Sequence, residues 1–329
     1  MGAPSEDDEP SPRAAAPQSA WRRRLKVLSP LFGLAIVCAA VWIIYKELSS
    51  HSLLEVWDSL KRAKLSTIAF TLGLCAFSYL MLALIERSVL QMLHREQAFP
   101  SVFKSSFVTY GASNALGYSF ATAPAARARI YRDRLRAREI GALSAITAAS
   151  VGLGAATAAG LSLVFGAPDL PRTFLGGAHV WRWTGLALLA PAVLWIALSG
   201  RARHAMEVMG IKFRTLGMRR ASLQVGFTTL DWLSTAGILY CFLPQDIGWT
   251  YPAFVCVFVA AGVLGAVSGT PGGLGPFEAA ILALAPASAA VPSLVAALVA
   301  YRIIFTLTPL AVAASVLLLD FLRRPATHG

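Results

Sequence analysis

Charge is scarce in this chain, and acid is scarcer than base. Only 14% of the 329 residues are Asp, Glu, Lys or Arg, 17 acidic against 29 basic, while 56% are hydrophobic and the mean hydropathy is +0.61. A soluble domain carries roughly 25% charged residues, so a soluble class is excluded and an integral membrane protein is implied. Cysteine and histidine are also few, at four and five. Cys38, Cys75, Cys241 and Cys256 all lie in apolar sequence without metal-type spacing, which makes them small buried hydrophobes. No metal site, redox pair or cofactor is expected, and no nucleophile motif is present. In a soluble chain the net charge of +12 would suggest a nucleic-acid partner. Here the basic residues cluster between apolar runs, as they do in cytoplasmic loops, and no nucleic acid is expected.

What is present is a succession of apolar runs. Residues 1–21, rich in acid, proline and alanine, cannot build a core and read as a disordered cytoplasmic tail. Arg22, Arg23, Arg24 and Lys26 precede a first apolar run, Leu28 to Tyr45, and further spans are expected at 65–85, 140–166, 181–199, 222–243 and 290–319. The membrane domain is bounded at 22–324, with 325–329 as a C-terminal tail. The small-residue run from Gly152 to Gly160 suits close helix packing, and Pro309 after Thr308 is expected to kink the last span.

Two apolar regions, 101–123 and 251–286, are interrupted. The second contains Ser268 to Ala280, SGTPGGLGPFEAA, in which Pro271, Gly272, Gly273, Gly275 and Pro276 forbid a continuous helix. The first has Asn114 and Gly117 at a plausible turn, with Pro124 expected to open the following helix. Arginine-rich loops at 127–138 and 201–220, together with both termini, are assigned to the cytoplasm. Parity then requires the first region to enter and leave on the cytoplasmic side and the second on the external side. The expected fold is an all-α polytopic bundle of about six full spans plus two oppositely oriented re-entrant hairpins, the pattern of an inverted repeat. Each hairpin aims a half-helix N-terminus inward, suited to phosphate or carboxylate.

The ionisable residues read as deep are Asp231, Glu278 and Arg302, with Arg127 and Arg129 following the first hairpin. A charge at the bilayer centre costs roughly 2.5–3.5 kcal/mol even on insertion scales, so these residues should face one another or a wet cavity. A pair of Arg302 with Asp231 or with Glu278 is expected, either to hold the bundle or to meet a substrate. Glu278 has a second reading as the cap of its own helix, and Arg127 and Arg129 a second reading as topology signals. With Asp231 and Glu278 as the only carboxylates read as deep, an intramembrane enzyme is disfavoured.

Four ordered pieces carry a family resemblance: SNALGYSF (Ser113 to Phe120) with ARARIY (Ala126 to Tyr131), LDW (Leu230 to Trp232) with LYCFLP (Leu239 to Pro244), SGTPGGLGPFEA (Ser268 to Ala279), and YRIIFTLTP (Tyr301 to Pro309). In their order and spacing the chain resembles the lysylphosphatidylglycerol synthase transmembrane family, the flippase half of the bacterial multiple peptide resistance factors and their stand-alone relatives. The resemblance implies a lipid translocator of the bacterial plasma membrane, moving an anionic or aminoacylated phospholipid. Arg127, Arg129, Asp231, Glu278 and Arg302 would line the headgroup path. The chain departs from the full-length synthases in ending at Gly329 soon after the last span, so no aminoacyltransferase activity is expected. Expected partners are the phospholipid itself, and either a second copy of the chain or a separately encoded lipid-modifying enzyme. The alternative role is an accessory or scaffold for such an enzyme.

Overall fold

The computed structural model describes residues 64–322, apart from 117–118, 132–133, 167–176, 202–204, 209–210, 215–216, 245–246, 269 and 287–288. The expected first span at 28–45 and both tails lie outside the described residues. Helices α1 (Leu65–Met92), α2 (Phe99–Leu116), α3 (Ser119–Ile130), α4 (Ala137–Gly166), α5 (Ala178–Arg201), α6 (Met218–Tyr240), α7 (Tyr251–Val267), α8 (Pro276–Leu284), α9 (Val291–Tyr301) and α10 (Thr308–Leu322) account for nearly all of it. A short antiparallel pair, β1 (Ala205–Val208) and β2 (Ile211–Arg214), sits in the basic loop between α5 and α6.

Among the described residues, four helical stretches are long and apolar enough to cross a membrane: Leu65–Met92, Ala137–Gly166, His179–Arg201 and Val291–Leu319. These coincide with four of the expected spans. Helix α6, another, is long enough at 23 residues but has a different pattern. Its buried side carries Gln224, Thr228, Thr229, Asp231, Ser234 and Thr235, whereas Leu223 and Leu230 are exposed. Over this middle stretch the polar groups face the protein, the arrangement expected where the surrounding solvent is lipid, while the C-terminal turns also bury Ile238 and Leu239.

Both interrupted regions are broken where glycine and proline cluster. The first becomes α2 and α3, which pack against each other. Helix α3 begins at Ser119, so Pro124 lies inside it and does not open it. The second becomes α7, a 3-10 turn (Pro271–Gly273) and α8. At 1.5 Å per residue, α3 is about 18 Å long and α8 about 14 Å, both well short of the ~30 Å hydrocarbon core. Gly272 and Gly273 have φ of 61° and 67° and Gly275 has φ of 91°, conformations that residues with a Cβ adopt only at a cost. Asn114 ends up in the last turn of α2, and Gly117 falls outside the described residues.

The ends of the two broken regions touch. A Cβ built on Gly272 would stand 3.0 Å from the carbonyl oxygens of both Asn114 and Ala115. The main core runs beneath this contact, joining α1, α4, α6, α7, α8 and α9 through an aromatic chain that includes Phe254, Phe258, Phe277, Tyr301 and Phe305. The small-residue run does act in packing. A Cβ on Gly154 would lie 2.4 Å from Cβ of Thr228 on α6, and one on Gly160 would lie 2.9 Å from the Gly185 carbonyl on α5. The last span is not simply kinked. Between α9 and α10 runs a π-helical segment, Arg302–Leu307, ending where the Thr308 N–H reaches back to the Ile303 carbonyl. Pro309 lacks the donor and crowds the preceding turn, and the wider π turn absorbs that misfit.

Candidate functional site

The spacing of side chains on α1 and α6 sets out the site. Residues 78, 82 and 86 recur every four positions and therefore share one face of α1, with about 12 Å of helical rise from first to last. Ser78 donates to Oδ1 of Asp231 on α6 at 2.5 Å, and its Oγ lies 3.4 Å from Oγ1 of Thr235, one turn further along α6. Leu82 lines a cavity of about 380 Å³, and Glu86 sits behind it, fully buried.

The cavity is where the helices and both breaks converge. Its wall includes Tyr110, Ser113 and Asn114 of α2, Asp231, Trp232 and Thr235 of α6, Gly272 and Gly273 of the 3-10 turn, and Tyr301, Arg302 and Phe305 from the α9 to π junction. Its lining mixes aromatic and small apolar residues with several polar groups, the usual make-up of a site for a small molecule or headgroup.

Of the two pairings expected for Arg302, the structure forms the one with Glu278. Nε and Nη2 of Arg302 donate to Oε1 of Glu278 at 2.8 and 2.5 Å, and Nη1 donates to the Gly272 carbonyl at 2.7 Å. The other oxygen, Oε2, accepts the Gly275 N–H at 2.8 Å. Glu278 therefore does both of the things the sequence suggested: it caps the positive end of α8 and neutralises the arginine. The guanidinium in turn fixes the Pro-Gly-Gly turn through a main-chain carbonyl and lies 5.4 Å from the centre of the Phe277 ring.

Arg127 is placed elsewhere. Its side chain is 2% exposed, and Nε and Nη2 donate to Oε2 of Glu86 at 3.0 and 2.9 Å while Nη1 donates to Ser144 at 3.0 Å. Glu86 also accepts on Oε1 from Ser105 at 2.7 Å and Tyr131 at 2.9 Å. This network ties α1, α2, α3 and α4 together, and it overturns the reading that Asp231 and Glu278 are the only deep carboxylates. Glu86 closes an apolar run and is followed by Arg87, so it looked like the charged edge of a span. The signal that could have revealed it was its four-residue spacing from Leu82 and Ser78. Arg127 borders the cavity indirectly, its guanidinium carbon 5.9 Å from the centre of the Tyr110 ring. Arg129, in the same last turn of α3, is partly exposed and does not line the cavity. Of the five predicted headgroup residues, Asp231 and Arg302 thus face one chamber, Glu278 stands behind Arg302, and Arg127 and Arg129 lie outside.

Glu278 neutralises Arg302, and Glu86 neutralises Arg127. Among the described residues, no basic side chain lies within ion-pairing distance of Asp231. Asp231 is thus a carboxylate 7% exposed, lining the cavity and accepting a hydrogen bond from the neutral hydroxyl of Ser78.

Fold and site together define a multi-pass helical membrane protein with a central cavity bounded by two broken-helix regions. The chain belongs to the family described as the lysylphosphatidylglycerol synthase TM region, whose profile matches residues 31–313. It is 26% identical over 299 residues to the uncharacterized protein slr0712 of Synechocystis sp., covering 89% of this chain and 91% of that one. It is 24% identical over 297 residues to the inner membrane protein YbhN of Escherichia coli K12, with the same coverage of each. The family match is to the membrane region, and no synthase domain is found in it.

Proposed function

We propose that the protein is a lipid translocator of the bacterial inner membrane that passes a phospholipid headgroup through the central cavity while the acyl chains remain in hydrocarbon. The observation that carries this reading is the cavity itself, with Arg302 and Asp231 facing it where the two broken regions meet. On this reading α2–α3 and α7–α8 are re-entrant hairpins of opposite orientation. Their short second arms and irregular backbone beside a cavity support that assignment. Three of the five N–H donors of Arg302 are engaged by Glu278 and Gly272, and the remaining donors are available for a headgroup phosphate. Asp231 faces a cationic group such as the amine of an aminoacylated lipid, and the aromatic walls suit that cation. Relative motion of the two halves alternates access to the cavity.

The test is lipid movement in proteoliposomes made with fluorescent phosphatidylglycerol and lysylphosphatidylglycerol. Arg302→Ala and Glu278→Gln are each expected to slow movement at least tenfold while the detergent-solubilised protein keeps its elution profile and helicity. Wild-type rates in both variants would sink the assigned site. A second reading is favoured by the hydrogen bonds Arg302 already makes, which suit a purely structural arginine. In that case the chain is a scaffold for a lipid-modifying enzyme, the wild type moves no lipid, and the enzyme co-purifies with it.

A further inference from the structure

The charge count around the cavity leaves one group without a counter-charge among the described residues. Arg302 and Glu278 cancel, Arg127 and Glu86 cancel, and Asp231 remains. A buried carboxylate without a counter-charge is costly and is relieved either by a partner cation or by taking up a proton. Among the described residues, the neighbours supply no such cation. On α1 the adjacent groups are Ser78, Tyr79 and Cys75, and α2 contributes Tyr110. The α9 to π junction contributes Tyr301 and the already paired Arg302, with Glu278 behind it on α8. The cavity-lining residues of α4 and α7 include Val151, Phe258 and Gly262, none of which titrates. A tightly held metal ion is a poor fit: among the described residues no cluster of three His, Cys, Asp or Glu forms, and the oxygens of the hydrogen-bonded set here are Oδ1 of Asp231, Oγ of Ser78 and Oγ1 of Thr235, where a hard cation takes six or more oxygens. A proton needs the carboxylate alone.

We propose that Asp231 is the coupling site of the transporter, carrying a proton when the cavity is empty of cationic headgroup and releasing it when the headgroup amine arrives. The exchange balances: the carboxylic acid O–H gives its proton to cavity water, and the resulting carboxylate accepts the ammonium N–H. A cationic headgroup moved one way is thereby exchanged for a proton moved the other way, so a pH gradient drives lipid asymmetry. This rests on the transport reading above, and its test separates the two.

Proteoliposomes carrying tail-labelled lysylphosphatidylglycerol or, as the amine-free control, tail-labelled phosphatidylglycerol are given an imposed pH gradient. Leaflet distribution is then read by dithionite quenching. The gradient is expected to shift the leaflet distribution of the lysyl lipid and leave that of the control lipid unchanged. Asp231→Asn, which keeps an acceptor for Ser78, is expected to lose the gradient-driven shift. An equal shift in Asp231→Asn, or a wild type that moves lipid with no response to the gradient, overturns the proposal. If wild type moves no lipid at all, the transport reading fails, and the proton site is judged by infrared difference spectroscopy on the purified protein. There, a titrating carboxylic-acid carbonyl band present in wild type and absent in Asp231→Asn supports the site, and its presence in both overturns it.

Discussion

Removing Glu86 leaves Arg127 buried beside Ser144 and Tyr110, with no other salt-bridge partner among the described residues. Breaking one side of such a buried pair costs about 3–5 kcal/mol, against roughly 0–1 kcal/mol for an exposed one. Glu86→Ala is therefore expected to lower thermal stability in detergent far more than Arg95→Ala, whose pair with Glu139 is half exposed on the arginine side. The double variant Glu86→Leu with Arg127→Met should recover most of the loss, since it removes both charges together. A differential scanning fluorimetry series on the three variants and the wild type checks both statements. Residue by residue, legibility followed spacing and isolation. Asp231 and Arg302 stand alone in the middle of apolar sequence, and their burial beside a cavity was readable. Glu86 was hidden because a charge at the end of an apolar run has an ordinary explanation. Which carboxylate Arg302 would choose was not readable at all, because it depends on how the Pro-Gly-Gly turn brings α8 against the π segment.

At the level of the element, the breaks were legible because proline and glycine act on backbone geometry wherever they occur. Their consequence was not, because Gly272 matters through a neighbour more than 150 positions away in the chain. Its φ of 61° and the 3.0 Å approach to the Asn114 and Ala115 carbonyls act together against any side chain. Gly272→Ala is expected to cost about 1–3 kcal/mol from backbone strain alone. On the proposed function it should also slow lipid movement more than Gly226→Ala, a helical position with open space around its Cβ. The π segment follows the same logic. Pro309 announces a disturbance, but the extra residue in the turn is a tertiary outcome that sets where Arg302 points. Helix α6 was legible as a span from its length and flanking charge, while its reversed polarity over the middle stretch, hydroxyls inward and leucines outward, needed the neighbours to be seen.

For the molecule as a whole, the proposed arrangement of hairpins makes a labelling prediction. Single cysteines in a background lacking the native four, placed at Glu96→Cys and Arg138→Cys on either side of α2–α3, should react with impermeant maleimide only from the cytoplasm. Thr250→Cys and Ala290→Cys, flanking α7–α8, should react only from outside. External labelling at position 138 would show that α2–α3 crosses completely. Close packing elsewhere is rigid by contrast: Gly154→Val would drive two methyls into Thr228 and is expected to destabilise the α4 to α6 contact by about 1–3 kcal/mol. The meeting of the two breaks has a different character. There, main chain lies on main chain: carbonyls of Asn114 and Ala115 against a bare Cα at Gly272, with no side chain from 272 threaded between them. Surfaces that meet without interlocking can part cleanly and close again in the same register. On the proposed function, that bare main-chain seam at the edge of the cavity is where the two hairpins part.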